Sequence, residues 1–131
     1  MGGHGALTIA LKNPEKYKSV SAFSPIVAPT QNEWGQKAFT GYLGEDKENW
    51  LQYDACELIK RNPAIIKLFV DQGTNDEFLE KYLQTEKLKN ICEKHGHELQ
   101  LRMLEGYDHS YYFITSFIED HIRYHAEYLN L

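Results

Sequence analysis

The run IIKLFVDQG (Ile65–Gly73) sets the frame for the rest of the chain. It is dense in β-branched and aromatic residues and stops at a glycine, the pattern of a strand. Two more runs read the same way. SVSAF (Ser19–Phe23) is closed by Pro25, and ELQLRMLEG (Glu98–Gly106) carries Leu99, Leu101, Met103 and, less regularly, Leu104 as its apolar residues. Helical patterns lie between and around these runs. Strands joined through helices pair in parallel, with helices covering both faces of the sheet. The expected fold class is therefore α/β with a parallel sheet. Three parallel strands are few, and the first element is a helix, so the chain reads as the second half of a domain.

The helices have legible limits. In residues 4–12, HGALTIALK, Ala6 and Ala10 stack at i,i+4, as do Leu7 and Leu11, and Asn13-Pro14 ends the pattern. Residues 25–50 mix Pro, Gly and aromatics and read as an excursion with one short helix near Gln36–Leu43. Asp54 caps a helix through Ile59, with Glu57 three residues on as in a capping box, and Asn62-Pro63 stops it. TNDEFLEKYLQTEKLKNICEKHG holds one long or two broken helices, with Leu79, Leu83, Leu88, Ile91 and Cys92 on the buried side and Gly96 as C-cap. The last segment, SYYFITSFIEDHIRYHAEYLNL, is an amphipathic helix. Its expected apolar stripe is Ile114, Ile118, Ile122 and Ala126, with Leu129 three further on.

Composition narrows the function classes. The 131 residues suffice for one ordinary domain, and 42% hydrophobic with 25% charged residues is a globular balance. A net charge of −5 argues against nucleic acid, whose backbone rewards a basic surface. Apolar runs are too short for a membrane helix, and no secretory signal is visible at the start. Cys56 and Cys92, few and widely spaced, read as reduced, partly buried thiols of a cytoplasmic protein.

Candidate chemistry gathers in two loops. In open parallel sheets, ligands collect outside the carboxyl ends of the strands. DQGTND (Asp71–Asp76) and EGYDHSYYF (Glu105–Phe113) both occupy such positions. An acid on one loop and a histidine on the next can meet, as an acid must to orient an imidazole. His109 is the candidate base; the competing reading has Asp108 or His109 capping the last helix. Asp71, Asp76 and Asp108 compete as the acid. Asp108 adjoins His109, which turns the two side chains apart. Asp71 ends the strand and reads as orienting the loop, whereas Asp76 lies where the loop turns into a helix and can reach inward. Each Asp also suits an N-cap or turn.

No internal nucleophile stands out. Ser19, Ser21, Ser24, Ser110, Ser116, Cys56 and Cys92 all lie off any sharp strand–Gly–helix turn, and neither G-x-S-x-G nor G-x-G-x-x-G is present. His121 and His125 share a helix face but lack HExxH or a Cys pair. They read, with His95 and His97, as solvated or internally satisfied, so no metal and no cofactor is expected.

MGGHGAL matches the residues that come after the serine in a GHSMGGHGAL nucleophile elbow. Together with YKSVSAFSPI, WGQKAFTGYLG, DQGTNDEFL and LEGYDHSYYFI, it resembles the S-formylglutathione hydrolase family, also called esterase D, over essentially the whole chain. The resemblance implies the C-terminal portion of a single α/β-hydrolase domain, residues 1–131, with a Ser-Asp-His triad. It puts the histidine at His109 and the acid at Asp76, and the serine immediately before Met1. Met1 would then supply one oxyanion-hole N–H, and Trp34 with its aromatic neighbours would line the substrate pocket. The activity implied is hydrolysis of S-formylglutathione to glutathione and formate, the chain alone being inactive. A broad carboxylesterase and a non-catalytic α/β binding module are the alternatives. The expected partner is a small thioester, with no nucleic acid and no membrane, and with room for a homodimer.

Overall fold

The computed structural model describes residues 1–63 and 66–130; Ile65, where the central strand was expected to begin, and Leu131, the last residue of the expected final helix, lie outside them. The elements run in the anticipated order: α1 (Gly2–Lys12), β1 (Val20–Phe23), α2 (Glu33–Leu43), α3 (Ala55–Arg61), β2 (Leu68–Gly73), α4 (Thr85–His95), β3 (Leu99–Leu104) and α5 (Tyr111–Leu129). The strands form one sheet in the order β1-β2-β3, parallel throughout, with Val20 beside Leu68 and Leu68 beside Leu99.

Alternation along the strands divides the two faces. Val20, Ala22, Leu68 and Val70 enter one apolar core with Leu7 and Leu11 of α1, Leu58 and Ile59 of α3, and Leu88 and Cys92 of α4. Ser21, Phe23, Phe69 and Asp71 point the other way, toward α5, where Phe23 meets Phe113 and Phe69 meets Tyr124. Gly3 permits the close seat of α1 on β1, since a Cβ there would lie 2.6 Å from the Phe23 carbonyl oxygen.

The local signals hold at several ends. Asp54 is buried and caps α3 by accepting from the Glu57 N–H at 3.1 Å, while Glu57 pairs with Lys60 and does not close a capping box. α2 begins earlier than expected, because the Asn32 side chain accepts from the Gly35 N–H at 2.9 Å. Gly96, at φ 71°, ends α4. The segment after Asp76 is broken: a short π-helix (Leu79–Leu83) stops at Gln84, which takes φ 53° before α4 starts. Cys56 and Cys92 are free and fully buried, not partly, and burial pushes both thiols up to about 12.

The expected stripe on the last helix is corrected. Ile118, Ile122 and Leu129 are exposed, and α5 meets the sheet through Phe113, His121 and Tyr124, with Phe117 half-buried beside them. Both stripes have helical spacing. The sheet face opposite α5 carries Phe23 and Phe69 together with the polar Ser21 and Asp71, and an aromatic and histidine stripe matches it where isoleucines would strand the polar groups. Among the described residues no helix is long and apolar enough to cross a membrane.

Candidate active site

The loops after β2 and β3 are stitched together by backbone. The Thr74 N–H donates to the Leu104 carbonyl at 3.1 Å, the Asn75 N–H to the Tyr107 carbonyl at 2.9 Å, and the Gly106 N–H to the Thr74 hydroxyl at 3.0 Å. Gly73 allows this approach, because a Cβ there would sit 2.2 Å from the Tyr107 oxygen. The two loops therefore reach the carboxyl end of the sheet as one unit.

That unit brings Asp76 and His109 together. His109 Nδ1 lies 2.6 Å from Asp76 Oδ2. The Asp76 side chain is fully buried and the His109 side chain is 39% exposed, so the acid is withheld from solvent while the ring can exchange protons. Asp76 Oδ1 accepts from the Phe78 N–H at 2.9 Å, an N-cap-like bond made in addition to the bond with His109. The Phe78 ring meets the imidazole edge-on at 5.3 Å between centroids and limits its tilt. With Nδ1 engaged by the carboxylate, Nε2 is the nitrogen left for proton transfer.

Asp71 takes a different part from the one expected. It lies within β2, fully buried, and Arg102 of β3 grips it through two bonds, Nε to Oδ1 at 2.7 Å and Nη2 to Oδ2 at 2.6 Å. His121 Nε2 adds a third bond at 3.0 Å. Burial by itself raises the carboxyl, but the Arg102 and His121 bonds outweigh it and hold Asp71 below its ordinary value. From His121 the bonds continue through Ser21 and His125 to Ser19. The reading of His121 and His125 as internally satisfied holds. Asp108 takes no place at the His109 ring, and among the described residues no group of three or more His, Cys, Asp or Glu side chains is arranged to hold a metal.

Two cavities meet at His109. One, of about 490 Å³, is bounded by Met1, Gly2, Ser24, His109 and Ser110. The other, of about 640 Å³, is walled by Trp34, Phe39, Tyr42 and Leu83 and closed by Met1 and His109. Trp34 stacks flat on Tyr82 at 3.8 Å and tilts against Phe78 at 5.0 Å, so one row of aromatic contacts runs from α2 to His109. Met1 is the N-cap of α1, and its carbonyl accepts from the Gly5 N–H. The four residues singled out from the sequence, Met1, Trp34, Asp76 and His109, thus converge on one end of the sheet. Gln72, which donates to Asp76 Oδ2 at 3.1 Å, and Thr85, whose hydroxyl donates to Gln72, were not legible. A glutamine inside a strand has no motif, and its partner is 13 residues away.

Comparison with known proteins agrees with the fold. The chain matches, over residues 1–124, the family Esterase ("Putative esterase"). An S-formylglutathione hydrolase from Agrobacterium tumefaciens is 49% identical over 98% of the chain, with a TM-score of 0.93, and the chain spans 46% of that enzyme. An S-formylglutathione hydrolase from Staphylococcus aureus in apoenzyme form is 20% identical over 95% of the chain and 50% of the enzyme, with a TM-score of 0.73, a likeness of fold alone. The resemblance read from MGGHGAL and YDHSYYFI is borne out.

Proposed function

The chain belongs to the Esterase family, and on that premise we propose that it is the C-terminal portion of a single α/β-hydrolase domain that works as a serine thioesterase and carboxylesterase, hydrolysing S-formylglutathione to glutathione and formate. The observation that carries the reading is the 2.6 Å bond between the buried Asp76 and the half-exposed His109, beside cavities shared with Met1. The span of 46% of the Agrobacterium tumefaciens enzyme supports an upstream half that supplies the remaining strands and the serine.

In that domain His109 Nε2 takes the proton of the serine hydroxyl as its oxygen attacks the formyl carbonyl. The Met1 N–H is one donor to the resulting oxyanion, at a helix N-terminus whose dipole favours negative charge. Such a donor is worth about 3 kcal/mol in the transition state. The tetrahedral intermediate expels the thiol sulfur, which receives the proton from His109. Water, deprotonated by His109, then attacks the formyl-serine ester, and collapse releases formate and returns the proton to the serine. Asp76 keeps Nδ1 protonated and stabilises the imidazolium that forms twice in the cycle. The free, buried thiols of Cys56 and Cys92 suit a reducing cytoplasm.

The apolar lining of the 640 Å³ cavity favours a second reading of the same chemistry, with larger acyl or alkyl groups of simple esters held against Trp34 and Phe39. The test joins the upstream half of the Agrobacterium tumefaciens enzyme to Met1 through its serine. The joined protein should hydrolyse both S-formylglutathione and p-nitrophenyl acetate. A folded joined protein that cleaves neither overturns the proposal, and a rate on longer acyl esters above that on the formyl thioester selects the second reading.

A further inference from the structure

Neighbouring residues of β2 face opposite sides of the sheet, so Asp71 points to α5 and Gln72 to α4. Gln72 is completely buried. Its Nε2 donates to Asp76 Oδ2 at 3.1 Å and to the Gly73 carbonyl at 3.0 Å, and its Oε1 accepts from the Thr85 hydroxyl at 3.3 Å. Thr85 opens α4 and is itself buried. The orientation of the amide is settled by its surroundings. Turned over, Oε1 would face a carboxylate oxygen and a carbonyl oxygen, two acceptors with no proton between them. The amide N–H thus reaches the same carboxylate oxygen that receives His109 Nδ1.

We infer that Gln72, locked by Thr85, is a positioning residue for His109 acting through Asp76. A carboxylate held only by the Phe78 N–H and His109 can rotate about its Cβ–Cγ bond, whereas a third donor on Oδ2 fixes its plane. The same donor shares the negative charge of Oδ2, so it limits how strongly Asp76 favours a protonated imidazole. Removing it makes the carboxylate a stronger partner for imidazolium and leaves its plane free. The histidine then holds its proton to higher pH, and the base is less well aimed. The other titratable side chains around the two cavities are those of His4, Tyr42, Tyr53 and Tyr111, which are unchanged in each comparison, and the Met1 nitrogen is a peptide N–H in the joined protein.

This inference rests on the proposed hydrolase reading and is separable from it. In the joined protein, Gln72→Leu should shift the acid limb of the kcat/KM profile for p-nitrophenyl acetate upward by about half a pH unit and lower kcat about tenfold, with KM within about twofold. Thr85→Val should move the profile the same way by less, and Thr85→Ser, which keeps the hydroxyl, should restore it. The ring ¹⁵N shifts of His109, followed against pH, should report the same upward movement without any turnover. Folded Gln72→Leu and Thr85→Val proteins whose pH profile and His109 titration both match the parent overturn the inference; this pair keeps it testable if Gln72→Leu alone does not fold. An inactive parent whose His109 titration still moves in the variants overturns the hydrolase reading and supports the positioning role.

Discussion

Two aspartate–histidine pairs lie near one another, one on the loops after the strands and one beneath α5, and only the first of them leaves its imidazole open to solvent and to a cavity. Asp76–His109 joins two loops, with the carboxylate buried and the ring 39% exposed beside two cavities. Asp71–His121 joins β2 to α5, with the ring 3% exposed and its two nitrogens bonded to Asp71 and Ser21. Phe23 and Phe69 stack on the His121 ring at 3.9 and 4.3 Å. Arg102 adds a full counter-charge on Asp71, where Asp76 has neutral donors alongside the histidine. The second group even contains a serine, Ser21, so it matches the residue types of a hydrolase triad. Access and saturation separate them: His121 has no free nitrogen for a substrate and no free face. The chemistry of a side chain is set by what else it touches.

The largest expected difference is catalytic. In the joined protein, Asp76→Asn should lower kcat on p-nitrophenyl acetate by about 10⁴-fold through loss of the correct tautomer. Asp71→Asn should leave the rate of folded molecules within about threefold. Equal losses in the two would erase the distinction drawn between the pairs.

Stability should rank them in the reverse sense. Asp71→Asn leaves the Arg102 guanidinium without its bidentate partner and His121 with a weaker one, and should cost about 3 kcal/mol in urea unfolding, since breaking a buried ion pair is worth roughly 3–5 kcal/mol and Arg102 keeps Asp120. A cost under about 1 kcal/mol would mean that the pair contributes little to docking α5.

The network around Asp71 also predicts a two-step loss with acid. His125 is held below its ordinary value of 6.5 by burial, with the His121 charge adding to it. The unfolded chain therefore binds this proton before the folded one does, and stability falls as pH drops below 6.5 toward the native value. Asp71 is held below its ordinary 3.8, so its contribution is intact above that pH and is lost as pH falls through the depressed native value. Urea midpoints measured from neutral pH downward should show the first decline in the parent and a shallower one in His125→Gln. Superimposable curves would remove His125 from the account.

The smallest effect belongs to the stripe of α5 that faces away from the sheet. Ile122→Ser should change the stability of this chain by no more than about 0.5 kcal/mol, as for an exposed position. Tyr124→Phe, which removes the hydroxyl donating to the Lys67 carbonyl at 2.9 Å, should cost about 1 kcal/mol. Reversed ranks in chemical denaturation would restore the isoleucine stripe as the one that packs.

Much of this was legible because it is local. The order of elements follows from periodicity and from Pro, Gly and Asp at the ends. The candidate base and acid follow from two polar loops placed after strands, where parallel sheets expose them. The GGHG and YDHS segments carried the family resemblance. Gln72, Thr85 and Arg102 escaped because their roles depend on which face of a strand meets which helix or neighbour. The α5 stripe was misread because two stripes of equal spacing compete, and the choice lies with the sheet beneath.

The sequence by itself determined the alternation of strands and helices, the parallel sheet that alternation requires, and the presence of an acid and a histidine on successive strand-end loops. These depend on backbone preferences and on residues close in the chain. The sequence favoured Asp76 over Asp71 as the partner of His109, but only the tertiary structure supplies the physical reason. That choice rests on a guanidinium 31 residues beyond Asp71 that neutralises it, and on a glycine at 73 that lets the Tyr107 loop close over the strand end. Contacts between distant segments assign roles among side chains that are chemically the same.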